Sequence, residues 1–531
     1  MASIMSNAYD IPPHRPKLPT PVSHRAQFIA PSGAYTHFTD DVITVTTPIE
    51  PVSTIPKVLI VGAGFAGMIT AVRLKKDHVI GAGGFGGTWY WNQYQGVACD
   101  VESYIYIPFL EETGYIPEDR FSYGPEIREH MKRVLISRWH VRTDRSDNFI
   151  AQFVVLATGT FHEPKLPGIS RIQEFERPHF HSNDWNLTKL AGKTVGVIGT
   201  GSSALQLIPL LARNVEKLYV FQCTSSSVTF KENFKTSENL NSDVRRLSEQ
   251  VSWQQAHMEE FANILQGTAI DRDNSTVEGL EVLTARALFK QAEKAGISMK
   301  PEKFPELLKL PDFVHMKKLR EVMKYVVHDE ETAEKLKPWY SFMRKRPAFH
   351  NNYLDAFNRP NVKLIDTDGK GVSHLTRMGV VATGQDFHRR TGINLVGTRG
   401  KTPDETWQRF PNLFNIGPSQ SGLSANWTHT AYVAGEHIAD VIARILRNAD
   451  HDFQAIESTE AAAEEWAKQS EKGSEMRMMF SKACTPGHYN KEGKPEDIPS
   501  RAASYPKGIM EWKSVMKKWR DQEGFEGMKK H

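Results

Sequence analysis

Apolar and polar positions along this chain fall into blocks with a readable period, except at its start. Residues 1–56 hold nine prolines and little apolar periodicity, which predicts an extended arm rather than a folded unit. At Lys57 the pattern changes. Lys57-Val58-Leu59-Ile60-Val61 is an apolar run of strand length, Gly62-Ala63-Gly64-Phe65-Ala66-Gly67 follows at once, and residues 68–74 continue as a helix. The same order recurs later. Thr194-Val195-Gly196-Val197-Ile198 leads into Gly199-Thr200-Gly201-Ser202-Ser203-Ala204, and Leu205-Gln206-Leu207-Ile208 carries on as a helix. Two further apolar segments, 153–156 and 380–381, each run into Ala-Thr-Gly. From about 237 to 339 helical spacing dominates, as in 280–295 and 313–327, which predicts a helical insertion. Strand character returns at 361–366, a long helix is expected over 428–447, and the tail beyond it reads as polar and irregular.

A glycine turn between a strand and a helix has a physical purpose. The first glycine permits the tight turn, the second lets backbone approach a pyrophosphate, and the third lets helix and strand pack closely. The helix N-terminus supplies amides and partial positive charge. One such turn alone is also compatible with a plain tight turn. Two of them, each between a strand and a helix, point to two dinucleotide sites and an α/β fold with two Rossmann-like domains.

Composition excludes several alternatives. Hydrophobic residues make up 40% and charged residues 24% of 531 positions, near the globular average. The net charge of +4 is too small for a nucleic-acid footprint. Three cysteines, Cys99, Cys223 and Cys484, are too few for a disulfide framework or a zinc site; Cys99 and Cys223 read as inert. His179 and His181 lie two apart, but no cysteine or carboxylate cluster completes a metal site around them. No run of about 18 apolar residues predicts a membrane span, and the first twenty residues lack the apolar centre of a signal peptide. A soluble cytoplasmic protein is the expectation, with no nucleic-acid partner. Nothing in the sequence sets an oligomeric state.

Three further stretches carry a family resemblance. The first runs from Gly86-Gly87-Thr88-Trp89-Tyr90-Trp91 through Tyr94-Gln95-Gly96-Val97-Ala98-Cys99-Asp100. The second runs from Phe175 through Arg177 and His181 to Trp185, at the spacing F-x-G-x-x-x-H-x-x-x-W. The third is Lys345-Arg346-Pro347, followed by Asn358-Arg359-Pro360. With both glycine turns, the chain over about 57–490 resembles the Baeyer–Villiger-type FAD-binding monooxygenases, in particular their fungal secondary-metabolism branch. The resemblance implies FAD and NADPH as cofactors, with a ketone and O2 as substrates. The expected reaction gives an ester or lactone through a flavin peroxide.

It also implies roles for particular residues. Arg346 matches the family's catalytic arginine and Asp100 the carboxylate that orients it. Gly62, Gly64, Gly67, Thr88, Trp89, Tyr90, Trp91, Ala98, Cys99, Asp100 and Tyr106 are the residues expected around FAD. Gly199, Thr200, Gly201, Ser202, Ser203, Ala204, Gln206, Thr224, Ser225 and Lys345 are those expected around NADPH. His181 and Trp185 are read as a hinge between nucleotide domains. The implied division is an FAD domain over 57–174 that resumes over 361–531 with the tail, and an NADP domain over 175–360 carrying the insertion.

The sequence also departs from the family pattern. A dinucleotide fold places an acid about 20 residues after the glycine turn to bind ribose hydroxyls, and Ile80 stands in its place. Cys223 occupies the position of the arginine that meets the 2′-phosphate of NADPH. Arg177 replaces the usual glycine, and Gln95 the usual proline. The strand at 78–80, the stretch after Lys132 and the stretch between Val380 and Ala382 are short, so a sheet with fewer strands is expected. Two competing readings follow: a degraded non-catalytic homologue, and a heteroatom-oxidising flavin monooxygenase.

Overall fold

A computed structural model describes residues 27–29, 35–37, 58–74, 86–135, 152–159, 169–179, 181–182, 190–231, 233, 235–236, 248, 250–266, 304–340, 345–377, 380–381, 411–447, 455–472, 474, 478, 496, 499–522 and 524–531. It is a mixed α/β structure of two units, 1–53 and 54–531. In the first unit, β1 (Gln27–Ile29) and β2 (Tyr35–His37) pair antiparallel. The expected extended arm therefore contains an antiparallel strand pair, whose Phe28, Ile29, Tyr35 and Thr36 carry the β propensity that the prolines around them mask.

The second unit is organised by two parallel three-stranded sheets. β3 (Val58–Val61) pairs with β4 (Phe153–Leu156), and β4 pairs with β12 (Leu413–Asn415). β5 (Thr194–Ile198) pairs with β6 (Lys217–Gln222), and β6 with β9 (Val362–Asp366). The second sheet thus extends past the expected boundary at 360, because β9 finds its hydrogen-bonding partner in β6 and not in the first sheet. Phe153 and Val155 of β4, Val58 and Ile60 of β3, and Leu218 and Val220 of β6 are buried and belong to one continuous core.

Helices follow both glycine turns, at Phe65–Leu74 and Ser202–Asn214. Helices Trp253–Gln266, Phe304–Val326 and Glu330–Leu336 lie within the expected insertion, while 280–295 falls outside the described residues. The long helix is present as Trp427–Arg447. The tail departs from expectation. It carries helices Glu460–Glu471 and Gly508–Asp521, and β13 (Ile456–Ser458) pairs with β14 (Met528–Lys530). Thr459 explains the first of these helices, because its side chain accepts a hydrogen bond from the Ala462 amide, and such a cap outweighs the charged composition.

Two short ribbons complete the description. β7 (Val228–Thr229) pairs in parallel with β8 (Ala348–Phe349), and β10 (His374–Leu375) pairs antiparallel with β11 (Val380–Val381). No helix among the described residues is long and apolar enough to cross a membrane.

Candidate active site

The first glycine turn is built by backbone contact. Gly62 has φ +112°, and a side chain there would begin 2.3 Å from the Ala157 carbonyl oxygen; at Gly67 it would begin 1.9 Å from the Gly62 oxygen. Neither space admits a Cβ, so strand β4 and the following helix close on the turn. The Gly86 amide donates to the Ala63 carbonyl at 3.1 Å, and Gly87 stacks on the Gly64 Cα. The segment 86–91 is thereby fixed on top of the turn. Thr88–Trp91 forms one helical turn there. The Trp89 indole donates to the Tyr106 hydroxyl at 3.2 Å, and Tyr106 in turn meets the Phe65 ring with 5.2 Å between centroids. Tyr90 and Trp91 meet edge to face at 4.9 Å.

The second turn differs. Gly199 has φ +104°, and a Cβ at Gly199 or Gly201 would meet nothing within 4 Å. These glycines face open space where the first turn's face protein. Several side chains expected at this site also make hydrogen bonds within the protein. Thr200 Oγ1 donates to the Thr224 carbonyl at 3.0 Å, and Ser225 Oγ to the Lys337 carbonyl at 2.8 Å. Gln206 Oε1 accepts from Tyr94 Oη at 2.8 Å while its Nε2 donates to the Ala98 carbonyl at 3.2 Å. Ser203 lies 3.4 Å from the same tyrosine hydroxyl. Tyr94 therefore pins the strip from the first turn onto the helix of the second, and burial pushes its phenol up to about 12. Cys223, at the end of β6, is held on both sides by one turn. Its thiol donates to the Gly369 carbonyl at 3.1 Å and its carbonyl accepts from the Gly369 amide at 2.9 Å. Lys345 lies over the Tyr340 ring, 5.7 Å from its centroid.

Asp100 and Arg346, 246 residues apart, come together: Arg346 Nη2 donates to Asp100 Oδ2 at 2.9 Å. The carboxylate side chain is 10% exposed and the guanidinium 53%. Sequence reasoning did not single out the third member. Lys231 Nζ stands 3.5 Å from Asp100 Oδ1, with its own side chain 10% exposed. Its ammonium also donates to the Cys99 carbonyl and lies over the Phe121 ring at 4.5 Å. The β7–β8 ribbon explains this arrangement. Lys231 follows β7 and Arg346 precedes β8, so the parallel register sets them at opposite ends of the ribbon, and their long side chains converge on the carboxylate, one on each oxygen. No spacing rule could have found Lys231, because a lone lysine after a two-residue strand carries no period.

A second ionic cluster also escaped the sequence reading. Arg120 Nε donates to Glu102 Oε1 at 2.8 Å, and His257 Nε2 contacts Glu102 Oε2 at 3.2 Å. Glu102 and Arg120 are both buried. Burial disfavours the charged imidazole, yet hydrogen bonds to Glu102 and Glu260 outweigh it and lift His257 to about 9. His350, four residues beyond Arg346, is driven the other way, down to about 4, by burial and by Lys231.

Cys99 is 2% exposed, and burial pushes its thiol up to about 12 despite Lys231. His179 Nδ1 donates locally, to the Arg177 carbonyl at 3.0 Å. Ile80 and Trp185 lie outside the described residues, as does the Ala-Thr-Gly at 382–384. The described residues contain no group of metal-ligating side chains.

Comparison with known proteins places the chain among oxygenases. A family model described as L-lysine 6-monooxygenase/L-ornithine 5-monooxygenase matches residues 119–330, less than half of the chain. A ketocytochalasin monooxygenase of Aspergillus clavatus is 50% identical, over 94% of this chain and 89% of the relative. A Baeyer-Villiger monooxygenase of Penicillium patulum is 41% identical, over 91% and 90%. The solved polycyclic ketone monooxygenase of Thermothelomyces thermophila is 31% identical and superposes with a TM-score of 0.78, over 91% of this chain and 90% of that one.

Proposed function

Since the chain belongs to the Baeyer–Villiger monooxygenases, we propose that it uses NADPH and O2 to convert a bulky, mostly apolar ketone into an ester or lactone, in secondary metabolism. FAD is the bound cofactor in this reading and supplies the oxygen-activating chemistry. The donor set fits it: the first turn offers helix N-terminal amides at Phe65, where intrahelical acceptors are lacking. Thr88 and the aromatic side chains of Trp89, Tyr90 and Trp91 stand on the segment that Gly86 and Gly87 lay over that turn. The open face above Gly199 and Gly201 is a cradle that any Cβ would begin to fill, and it suits the NADPH pyrophosphate. The two parallel sheets are then the cores of an FAD domain and an NADP domain. Because of β9, the FAD domain resumes only after the 362–366 strand.

The observation that carries the reading is the Asp100–Arg346 pair. Oxygen insertion places negative charge on the substrate's carbonyl oxygen, and a site that excludes water must supply the compensating donors. Arginine stays protonated at any working pH and presents a planar fork of N–H groups. Asp100 anchors that fork from the strip beside the first turn, and the β8 ribbon anchors it from the second domain. Arg346 is therefore held from both halves, by Asp100 on the strip beside the first turn and by the β7–β8 ribbon.

The decisive measurement is the absorption spectrum of the purified protein, before and after anaerobic NADPH. A stably yellow protein bleached by NADPH is expected, with ketone-dependent O2 uptake yielding one ester or lactone per NADPH. Purification without flavin, and no binding of added FAD, would instead support a degraded homologue. The partial match to the L-lysine 6-monooxygenase/L-ornithine 5-monooxygenase model supports heteroatom oxidation as a second reading; hydroxylated amine or sulfoxide as the sole product would establish it.

A further inference from the structure

We propose that Lys231 is a positioning residue for the oxygenation, holding one oxygen of Asp100 so that Arg346 contacts only the other. The inference rests on the function proposed above. A carboxylate has two oxygens, and an arginine fork left alone with both tends to take them together in a parallel two-bond pair. Here the oxygens are divided: Oδ2 faces Arg346 Nη2 at 2.9 Å and Oδ1 faces Lys231 Nζ at 3.5 Å.

Lys231 is itself firmly placed. Its amide donates to Asn351 Oδ1 at 2.7 Å, and Asn351 Nδ2 donates back to its carbonyl at 2.7 Å. Asn351 follows β8, so this reciprocal pair continues the β7–β8 ribbon by one more rung. The ammonium ends between the Cys99 carbonyl, the Phe121 ring and Asp100. A side chain 10% exposed has lost most of its hydration, which is costly unless an opposite charge compensates. An apolar residue of the same length would fill the space without that cost. The charge is therefore explained by what it does to Asp100, not by packing. The other titratable groups around Asp100 are Tyr94, Tyr106 and Cys99 on its own strip and His350 beyond β8. With burial holding the phenols and the thiol protonated and His350 neutral, Arg346 and Lys231 are the two cations that the described structure sets against this carboxylate.

The test is a cycle of Lys231→Met, Asp100→Asn and the double variant, assayed as full-length holoenzymes. The probes are cyclohexanone, cyclododecanone and progesterone. Lys231→Met keeps the stem and removes the charge. It is expected to bind flavin and to be reduced by NADPH within twofold of the parent rate. Its kcat for ester formation should fall tenfold or more with KM within threefold, and the shortfall should appear as hydrogen peroxide. In the Asp100→Asn background the same substitution should change kcat less than twofold, because the carboxylate through which it acts is already gone. Lys231→Met with unchanged coupling of NADPH to ester overturns the inference, as do effects of the two substitutions that simply multiply. Loss of bound flavin in Lys231→Met also overturns it, since that assigns the lysine to folding. A parent protein that forms no ester from any probe overturns the proposed function and this inference together.

Discussion

Replacing Asp100 with asparagine removes one charge that two cations share, and its cost can be worked from the distances. Lys231 at 3.5 Å is 10% exposed; at an effective dielectric constant of about 20 its attraction to Asp100 is about 5 kcal/mol. Arg346 is closer at 2.9 Å but 53% exposed, so water screens it and its share is only about 1 kcal/mol. Part of this is offset because Asp100 itself no longer has to be desolvated. Breaking a buried pair by removing one partner typically costs about 3–5 kcal/mol, and with half of this pair facing water about 3 kcal/mol is expected. The measurement is urea unfolding followed by tryptophan fluorescence, reading a lower midpoint at an unchanged slope. Ketone-dependent O2 uptake should fall on the order of 100-fold in the same variant, because Arg346 loses the group that aims it. An unfolding free energy within about 0.5 kcal/mol of the parent, together with turnover within threefold, would refute the ion-pair argument at both of its points.

Three other outcomes are expected. Arg346→Ala should keep flavin and its reduction by NADPH, while ester formation measured by gas chromatography drops by about 10²–10³; ester formation near the parent rate would remove Arg346 from the chemistry. Cys223→Arg should tighten NADP+ binding relative to NAD+ by about tenfold or more, as one charged hydrogen bond to a phosphate would. Equilibrium fluorescence titration reads this, and an unchanged ratio would mean that the 2′-phosphate is met elsewhere. His257 is raised in the folded state to about 9 from about 6.5 in an unfolded chain. Its contribution is therefore complete below about pH 6.5 and lost as pH rises through 9. His257→Gln should cost up to about 3 kcal/mol at pH 6 and little at pH 10, and unfolding midpoints of parent and variant that run parallel across that range would contradict it.

What could be read from the sequence followed from where each signal is stored. The glycine turns were legible because their reason is local: Gly62 and Gly67 face backbone that leaves no room for a Cβ, and strand and helix flank them directly. The pairing of Asp100 with Arg346 was reached only through a family resemblance, since nothing in either neighbourhood refers to a residue 246 positions away. Lys231 stayed hidden for the same reason without that help. Its partners at 99, 100, 121 and 351 come from three separated stretches, and a lysine's ordinary place is in water. The places expected of Gln206, Thr200 and Ser225 around NADPH came from the family resemblance. Position does not reveal that Tyr94, Ala98, Thr224 and Lys337 already claim their polar atoms. Helix Glu460–Glu471 lies in the tail that reads as polar and irregular, because its many polar side chains mask the helical period while the Thr459 cap is a single local signal.

The strip from Tyr94 to Asp100 is where these facts converge. Tyr94 hydrogen-bonds to the helix of the second glycine turn, and a Cβ at Gly96 would begin 2.9 Å from Leu210 on that same helix. Ala98 accepts from Gln206, Cys99 accepts from Lys231, and Asp100 pairs with Lys231 and Arg346. Every one of these contacts leaves a strip anchored beside the first turn and ends on an element of the second half. Seven residues thus set the spacing between the two glycine turns and the aim of the arginine at once. Motion between the halves would have to break buried bonds at Tyr94 and Gln206, or bend the strip and carry Asp100 with it. In the second case the angle of Arg346 follows from how the two halves sit, and under the proposed function NADPH bound at the second turn would thereby adjust the donor that serves the ketone.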